Sequence, residues 1–258
     1  MQYEKLKALL DAGVSLHAVF ESIDSTNTYL KKLCNTETVA DKTAVLAESQ
    51  SGGRGRLGRS FVSPKGNGIY LSVAFAADYT ADVALRITAA AAVAVCRVLD
   101  AYAKEKAQIK WVNDVYLGGR KVCGILTEAV TDTQCGGIKN IIVGIGLNMC
   151  GYDAFPEELK PIVTTLEQHS ENVPSPEELA AALINSLCAL AQNLPDSDWM
   201  AEYRERSFVI GKAVRVLQNG QERNATVSDI DADGGLCVVY EDGENAVLRS
   251  AEISIRTK

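Results

Sequence analysis

The segment Asp82–Lys104 constrains the fold most. It is rich in Ala and Val, it reads as one long helix, and its middle, Ile87–Val95, carries no charge. A helix that is apolar all round has to be covered on every side. The uncharged run is too short to span a bilayer, so the covering layers must be protein. The chain of 258 residues is long enough for one large domain, or for one large and one small.

The covering elements are legible on both sides of that helix. Residues 2–11 read as a short amphipathic helix with Leu6, Leu9 and Leu10 on one side. His17–Ile23 reads as a strand, after which Asp24 or Ser25 caps a helix to about Leu33. Thr43–Glu48 reads as a buried strand and Ile69–Ala76 as an alternating one. Ile109–Val112 is a short strand that stops at Asn113-Asp114, and Gly118-Gly119 is a turn. Arg120–Ala129 and Asn140–Asn148 form a strand pair connected through Cys135-Gly136-Gly137.

Ser175-Pro176-Glu177-Glu178 opens a helix: Ser as cap, Pro at the first position, two acids in the first turn. It runs to about Asn193, and a second helix spans Asp198 to Arg206. From Phe208 the texture changes to short strands split by Asn219-Gly220, Asp233-Gly234-Gly235 and Asp242-Gly243. The expected fold is therefore α+β. A mixed sheet flanked by helices occupies residues 1–207, and a small antiparallel β-barrel occupies 208–258.

Net charge is −7 and the sequence pI is about 5.0, which argues against a general nucleic-acid binder and against a polybasic membrane-surface protein. Seven cysteines at wide spacings, with no CxxC pair, fit reduced cytosolic thiols rather than disulfides or a zinc site. His17 and His169 are the only histidines, too few for a multi-histidine metal centre. The N-terminus lacks the apolar core of a secretory signal.

Against this acidic background one loop stands out, Gly53-Arg54-Gly55-Arg56-Leu57-Gly58-Arg59. From Ser49 to Ala77 there is no Asp or Glu, while Arg54, Arg56, Arg59 and Lys65 are all positive. Glycines permit close backbone approach, and guanidinium forks match carboxylate and phosphate. Such a loop is built to hold a small anion and to move while doing so. It also satisfies GxGxxG, but a dinucleotide site needs a helix directly after the loop and a ribose-binding acid about 20 residues on. Phe61-Val62-Ser63-Pro64 is loop chemistry instead, and the next acid is Asp78.

Four further constellations accompany it. Ser25-Thr26-Asn27 sits at a helix start, where it serves as a cap or as a binding site for a polar head group. Lys110-Trp111-Val112-Asn113-Asp114 ends a strand on a polar pair. Lys121 lies just inside an apolar strand, so it points to solvent or faces an anion in a cleft. Gly144-Ile145-Gly146-Leu147-Asn148 carries glycines inside a strand, a mark of close approach by a ligand or another backbone.

In this order, from STN through ESQSGGRGRLGR, KWVND and RKVCGIL to GIGLN, the series closely resembles the biotin protein ligases. The resemblance covers Phe20 to Asn148, and Glu252-Ile253-Ser254-Ile255-Arg256 is similar to the end of that family's C-terminal barrel. It implies a class II synthetase-like core that joins biotin to ATP, with Mg²⁺ riding on the phosphates and no dedicated metal cage. The biotinyl-5′-AMP formed, with release of pyrophosphate, then acylates a lysine of a biotin carboxyl carrier domain.

By the same resemblance, Ser25, Thr26, Asn27, Gln50, Arg54, Gly55, Arg56 and Lys121 bind biotin. Arg56, Arg59, Asn113, Lys121, Asn148 and Arg256 contact ATP or the adenylate. Lys121, Arg54 and Arg56 offset the charge that develops, and Asp114 orients the incoming lysine or takes its proton. The expected location is cytoplasmic, as monomer or homodimer. Some members carry an N-terminal DNA-binding domain; only 24 residues precede STN here, so no DNA partner is expected. Val112 replaces the family's usual proline, and Tyr152–Gln168 holds no Trp to cover adenine. A lipoate or octanoyl ligase of the same fold is the alternative. An oxidoreductase reading GxGxxG and a non-enzymatic biotin sensor leave KWVND, Lys121 and EISIR unexplained.

Overall fold

A computed structural model of the chain describes residues 1–76, 83–131, 137–192, 194, 198–218 and 220–255. Asp82, Cys135, Gly136, Asn193, Asn219 and Arg256 lie outside the described residues. Five helices are described: α1 (Tyr3–Ala8), α2 (Thr26–Thr36), α3 (Val83–Asp100), α4 (Pro176–Gln192) and α5 (Asp198–Arg206). The strands of the larger sheet are β1 (Ser15–Phe20), β2 (Thr43–Ala47), β3 (Gly68–Ala76), β4 (Gln108–Lys110), β5 (Asp114–Leu117), β6 (Arg120–Thr131) and β7 (Ile138–Asn148). Their order is β1-β2-β3-β7-β6-β5-β4, with β1 parallel to β2 and every other pair antiparallel. The sheet is mixed, as the sequence implies.

Helices cover both faces. α2 packs on one face over Val45, Ala74 and Ile142, which share a cluster with Leu30 and Cys34. α3 and α4 pack on the other, α3 over β6 and β7 and α4 over β3, with the alternate residues Val73, Phe75, Ile141 and Val143 in the core between. Successive side chains of a strand point to opposite faces, so both sets are apolar and both are buried. For this reason β3 is buried from Ile69 to Phe75 rather than alternating between core and solvent. The uncharged middle of α3 is fully enclosed: Ala89 through Cys96 are all at 0% exposure, covered by the sheet, α4 and α5. Burying one leucine such as Leu30 contributes about 1.5–3 kcal/mol. At the start of α4, Ser175 and Glu178 form a reciprocal capping box: Glu178 accepts from Ser175 N at 2.9 Å, and Ser175 Oγ accepts from Glu178 N at 3.4 Å.

The second sheet holds β8 (Ala213–Gln218), β9 (Gln221–Ile230), β10 (Leu236–Tyr240), β11 (Asn245–Leu248) and β12 (Glu252–Ile255), in the order β11-β10-β9-β8-β12 and antiparallel throughout. Positive φ at Gly234 (83°) and Gly243 (87°) serves its tight turns. This sheet is tied to the larger one through the β4–β5 turn. Trp111 Nε1 donates to Gly234 O at 2.9 Å, and Tyr203 Oη donates to Val112 O at 3.0 Å.

The β4–β5 turn departs from the sequence reading. The strand expected over Ile109–Val112 ends at Lys110; Trp111, Val112 and Asn113 form the turn, and Asp114 already begins β5. The cause is the anchoring of Trp111 and Val112 to the C-terminal sheet and α5 rather than to a neighbouring strand.

Candidate active site

The N-terminus of α2, the loop joining β2 to β3, the β4–β5 turn, the start of β6 and the start of β12 converge on one cleft. Its empty space, open mouth included, is about 990 Å³. Among the described residues, five cationic side chains line it, Arg54, Arg56, Arg59, Lys110 and Lys121, against two carboxylates, Asp114 and Glu252. A chain of net charge −7 thus concentrates positive potential at one place.

One end of the cleft is polar and neutral. Ser25 caps α2, its Oγ accepting from Thr28 N, so the capping and lining roles fall on one residue. Gln50 Oε1 accepts from Thr26 N at 2.9 Å and from Thr26 Oγ1 at 3.2 Å, while its Nε2 donates to Ser63 Oγ at 3.0 Å. Gln50 thereby fixes both the helix start and the exit of the arginine loop. Ser72 Oγ lies 2.6 Å from Asn27 Oδ1 and 2.7 Å from Thr26 Oγ1. Asn27 Nδ2 donates to Leu126 O and to Glu128 Oε2, both at 3.1 Å.

The other end carries the charge. Asn113 locks the turn to β6 through its backbone carbonyl and its side-chain amide: Asn113 O accepts from Ile125 N at 2.9 Å, and Asn113 Nδ2 donates to Ile125 O at 2.8 Å. Its remaining Oδ1 accepts from Arg56 Nη1 at 3.2 Å, and Arg56 Nη2 donates to Ala251 O at 3.4 Å. Burial pushes the Arg56 guanidinium below its usual range, while nearby Asp114 opposes the shift. Burial likewise lowers the Lys110 ammonium against the pull of Asp114. Arg59 pairs with Glu252 of β12.

Lys121 reaches the cleft through an irregularity in the sheet. Val115 pairs with Cys123 but Tyr116 pairs with Lys121, so Val122 is an extra residue on β6. Such a bulge reverses the alternation beyond it. Cys123 and Ile125 face the core, and Lys121, which regular spacing would send with them, faces the cleft. There its Nζ lies 2.7 Å from Asp114 Oδ1, which answers the choice between solvent and cleft.

The strand glycines make room for side chains of this same site. A Cβ on Gly144 would lie 2.2 Å from Asn27 Oδ1, and one on Gly146 would lie 2.5 Å from Phe61 Cε1. Phe61 follows the arginine loop, and its ring also closes on Gly124 and lies 6.0 Å from Lys121 Nζ. In the loop itself a short 3-10 turn, Arg56–Gly58, replaces the helix a dinucleotide site requires.

Residues 19–148 match the model of the biotin/lipoate A/B protein ligase family, and residues 209–256 match the biotin protein ligase C terminal domain. The chain belongs to the biotin/lipoate A/B protein ligase family. Among its relatives in the family, the biotin--[acetyl-CoA-carboxylase] ligase of Paracoccus denitrificans is 37% identical over 89% of this chain and 96% of its own length. The bifunctional ligase/repressor BirA of Bacillus spizizenii is 37% identical over 60% of this chain, and the match spans 47% of that protein's length. The solved biotin protein ligase from Aquifex aeolicus in complex with biotin and ATP aligns over 95% of this chain and 99% of its own, with a TM-score of 0.79 and 25% identity.

Of the residues assigned from the family resemblance, Ser25, Thr26, Asn27, Gln50, Arg54, Gly55, Arg56, Arg59, Asn113, Asp114 and Lys121 all line the cleft. Asn148 is not among its lining residues. It is buried at the end of β7, its Nδ2 donating to Thr164 O at 3.1 Å and its Oδ1 without a hydrogen-bond partner among the described residues. Lys110, Phe61, Glu128, Ser72 and Glu252 were not assigned from the sequence. The signal for Ser72 was a lone serine inside the apolar run of β3, and for Glu128 a lone acid in β6.

Among the described residues, no group of three or more His, Cys, Asp or Glu side chains stands close enough to hold a metal ion. Both cleft carboxylates are already paired with cations. Among the described helices, none is long and apolar enough to cross a membrane.

Proposed function

We propose that this chain is a biotin protein ligase, which activates biotin with ATP and passes it to a lysine of a biotin carboxyl carrier domain. The observation that carries the reading is the two-ended cleft: a neutral hydrogen-bonding end at α2 and a cationic end at the β4–β5 turn, within one continuous wall.

Ser25, Thr26, Asn27 and Gln50 offer hydroxyl and amide groups suited to a ureido head group. Phe61, resting on Gly124 and Gly146, supplies the apolar contact for the ring and chain beyond it. The biotin carboxylate then points to the cationic end, where its oxygen attacks the α-phosphorus of ATP and pyrophosphate leaves. Two anions repel each other on approach, and charge builds on the transferring phosphoryl oxygens. Fixed cations in a partly dehydrated cleft offset both effects without reorganising. Lys121 and Arg56 are placed for that role, each oriented by a neighbour, Asp114 and Asn113. Arg59 and Lys110 are placed to meet the phosphates, with Arg59 leaving Glu252 to do so.

In the second step the carrier lysine attacks the acyl carbon, AMP leaves, and Asp114 is the carboxylate positioned to accept the amine's proton. Mg²⁺ would arrive on the ATP phosphates, since the described residues form no cage of their own. Closure of the arginine loop shields the mixed anhydride from water. The test is transfer of labelled biotin to a purified biotin carboxyl carrier domain in the presence of ATP, with lipoate as competitor. Transfer unaffected by lipoate supports the reading; transfer of lipoate instead of biotin refutes it.

A further inference from the structure

Glu128 is a carboxylate of β6 whose side chain is only 13% exposed, and nothing in the reaction above uses it. It gathers three donors from two elements. Arg54 Nη1 reaches both of its oxygens at 3.1 Å, Asn27 Nδ2 reaches Oε2 at 3.1 Å, and Lys31 Nζ lies 3.4 Å from Oε1. Arg54 is the first arginine of the glycine-rich loop, and its backbone bridges to Ser60 at the loop's other side. Asn27 belongs to the neutral end of the cleft and is itself immobilised by Ser72, by Leu126 O and by the space left at Gly144.

The three loop arginines therefore part company. Arg56 and Arg59 turn toward the cationic end, to Asn113 and Glu252. Arg54 turns the other way, to a carboxylate anchored in the sheet. In this conformation the Arg54 guanidinium is engaged by a protein carboxylate and points away from the cationic end.

We infer that Glu128 is a positioning residue that clips the arginine loop closed through Arg54 and ties that closure to Asn27 at the head-group end. The inference rests on the ligase reading for its consequence in turnover, but not for the clip itself. Arg54 is about half exposed, so the clip is worth little in global stability. Its effect falls on the local opening equilibrium of the loop. Once the loop closes over bound biotin, the clip slows release, and its loss raises KM for biotin while leaving the chemical step nearly intact.

The test is amide hydrogen exchange of residues 53–61 in the intact free protein, for the wild type, Glu128→Gln, Arg54→Gln and the double variant. Each single change should speed exchange of this loop by about fivefold, and the double should be no faster than either single. Unchanged exchange in Glu128→Gln, or effects that multiply in the double variant, would overturn the inference. Arg54→Gln alters a half-exposed side chain, so it remains informative if the β6 variant folds poorly. In biotin-dependent pyrophosphate exchange, Glu128→Gln should raise KM for biotin at least threefold with kcat within twofold. A large loss of kcat confined to Arg54→Gln would mean that Arg54 acts on the substrate, and the clip would be wrong. A wild type with no pyrophosphate exchange would refute the ligase reading, while loop exchange would still decide the clip.

Discussion

Asp114 Oδ1 and Lys121 Nζ stand 2.7 Å apart across the β5–β6 hairpin, and each holds the other's charge in a half-buried cleft. The pairing depends on the extra residue Val122, which turns Lys121 out of the core. On the proposed ligase reading, it places a fixed cation and a carboxylate in contact where an anionic substrate and then an amine are received in turn.

Lys121→Ala and Arg56→Ala should each lower the rate of adenylate formation by about 10²–10³-fold, the usual loss when one preorganised donor to developing charge is removed. Pyrophosphate exchange reads this step alone. Near-normal exchange in either variant would show that the cationic end of the cleft is not where the anions meet.

Asp114→Asn should separate the two half-reactions. It keeps the shape beside Lys121 but loses the proton acceptor for the carrier amine. Single-turnover transfer from preformed adenylate should slow by at least about tenfold more than pyrophosphate exchange does. Equal losses in both would assign Asp114 to holding Lys121 only.

Gly144→Ala tests the head-group end. The added methyl would lie 2.2 Å from Asn27 Oδ1, and overpacking of this kind typically costs about 1–3 kcal/mol. Asn27 has to move, so biotin affinity measured by calorimetry should fall well beyond the accompanying drop in Tm. Full affinity would mean that Asn27 does not contact the ligand.

Stability should carry an acid dependence through Asp100. Burial pushes its carboxyl up, but hydrogen bonds from Ala107 N and Lys106 and the Arg206 guanidinium outweigh that and hold it below the usual range. A carboxyl lowered by folding contributes fully above its unfolded value of about 3.9, and the contribution disappears as pH falls through the folded value. Urea midpoints of Asp100→Asn should therefore lie below those of the wild type at pH 7 and approach them near pH 3. An equal deficit at both pH values would assign the loss to packing rather than charge.

Much of this site was legible in the sequence because its chemistry is local. The arginines of the loop, the Ser25-Thr26-Asn27 cap and the Asn113-Asp114 pair advertise themselves by charge or turn propensity within a few residues. The helices were equally plain, since periodicity and capping act over one or two turns. What stayed hidden depends on distant partners. The β4–β5 turn begins at Trp111 because Gly234, far along the chain, accepts its indole N–H. The glycines of β7 mark close approach, but only the fold shows that Asn27 and Phe61 are what approach. The bulge at Val122 leaves no mark on hydrophobic patterning, because Val122, Cys123 and Ile125 are all apolar core residues. Glu128 could be seen as a lone acid in a strand, but not as the partner of Arg54, 74 positions earlier.

The measurement that tests the account most directly is biotin-dependent exchange of labelled pyrophosphate into ATP by the purified chain. The account predicts exchange that requires biotin, is not supported by lipoate and is lost in Lys121→Ala. Absence of exchange from a folded protein, or exchange indifferent to biotin, would contradict it.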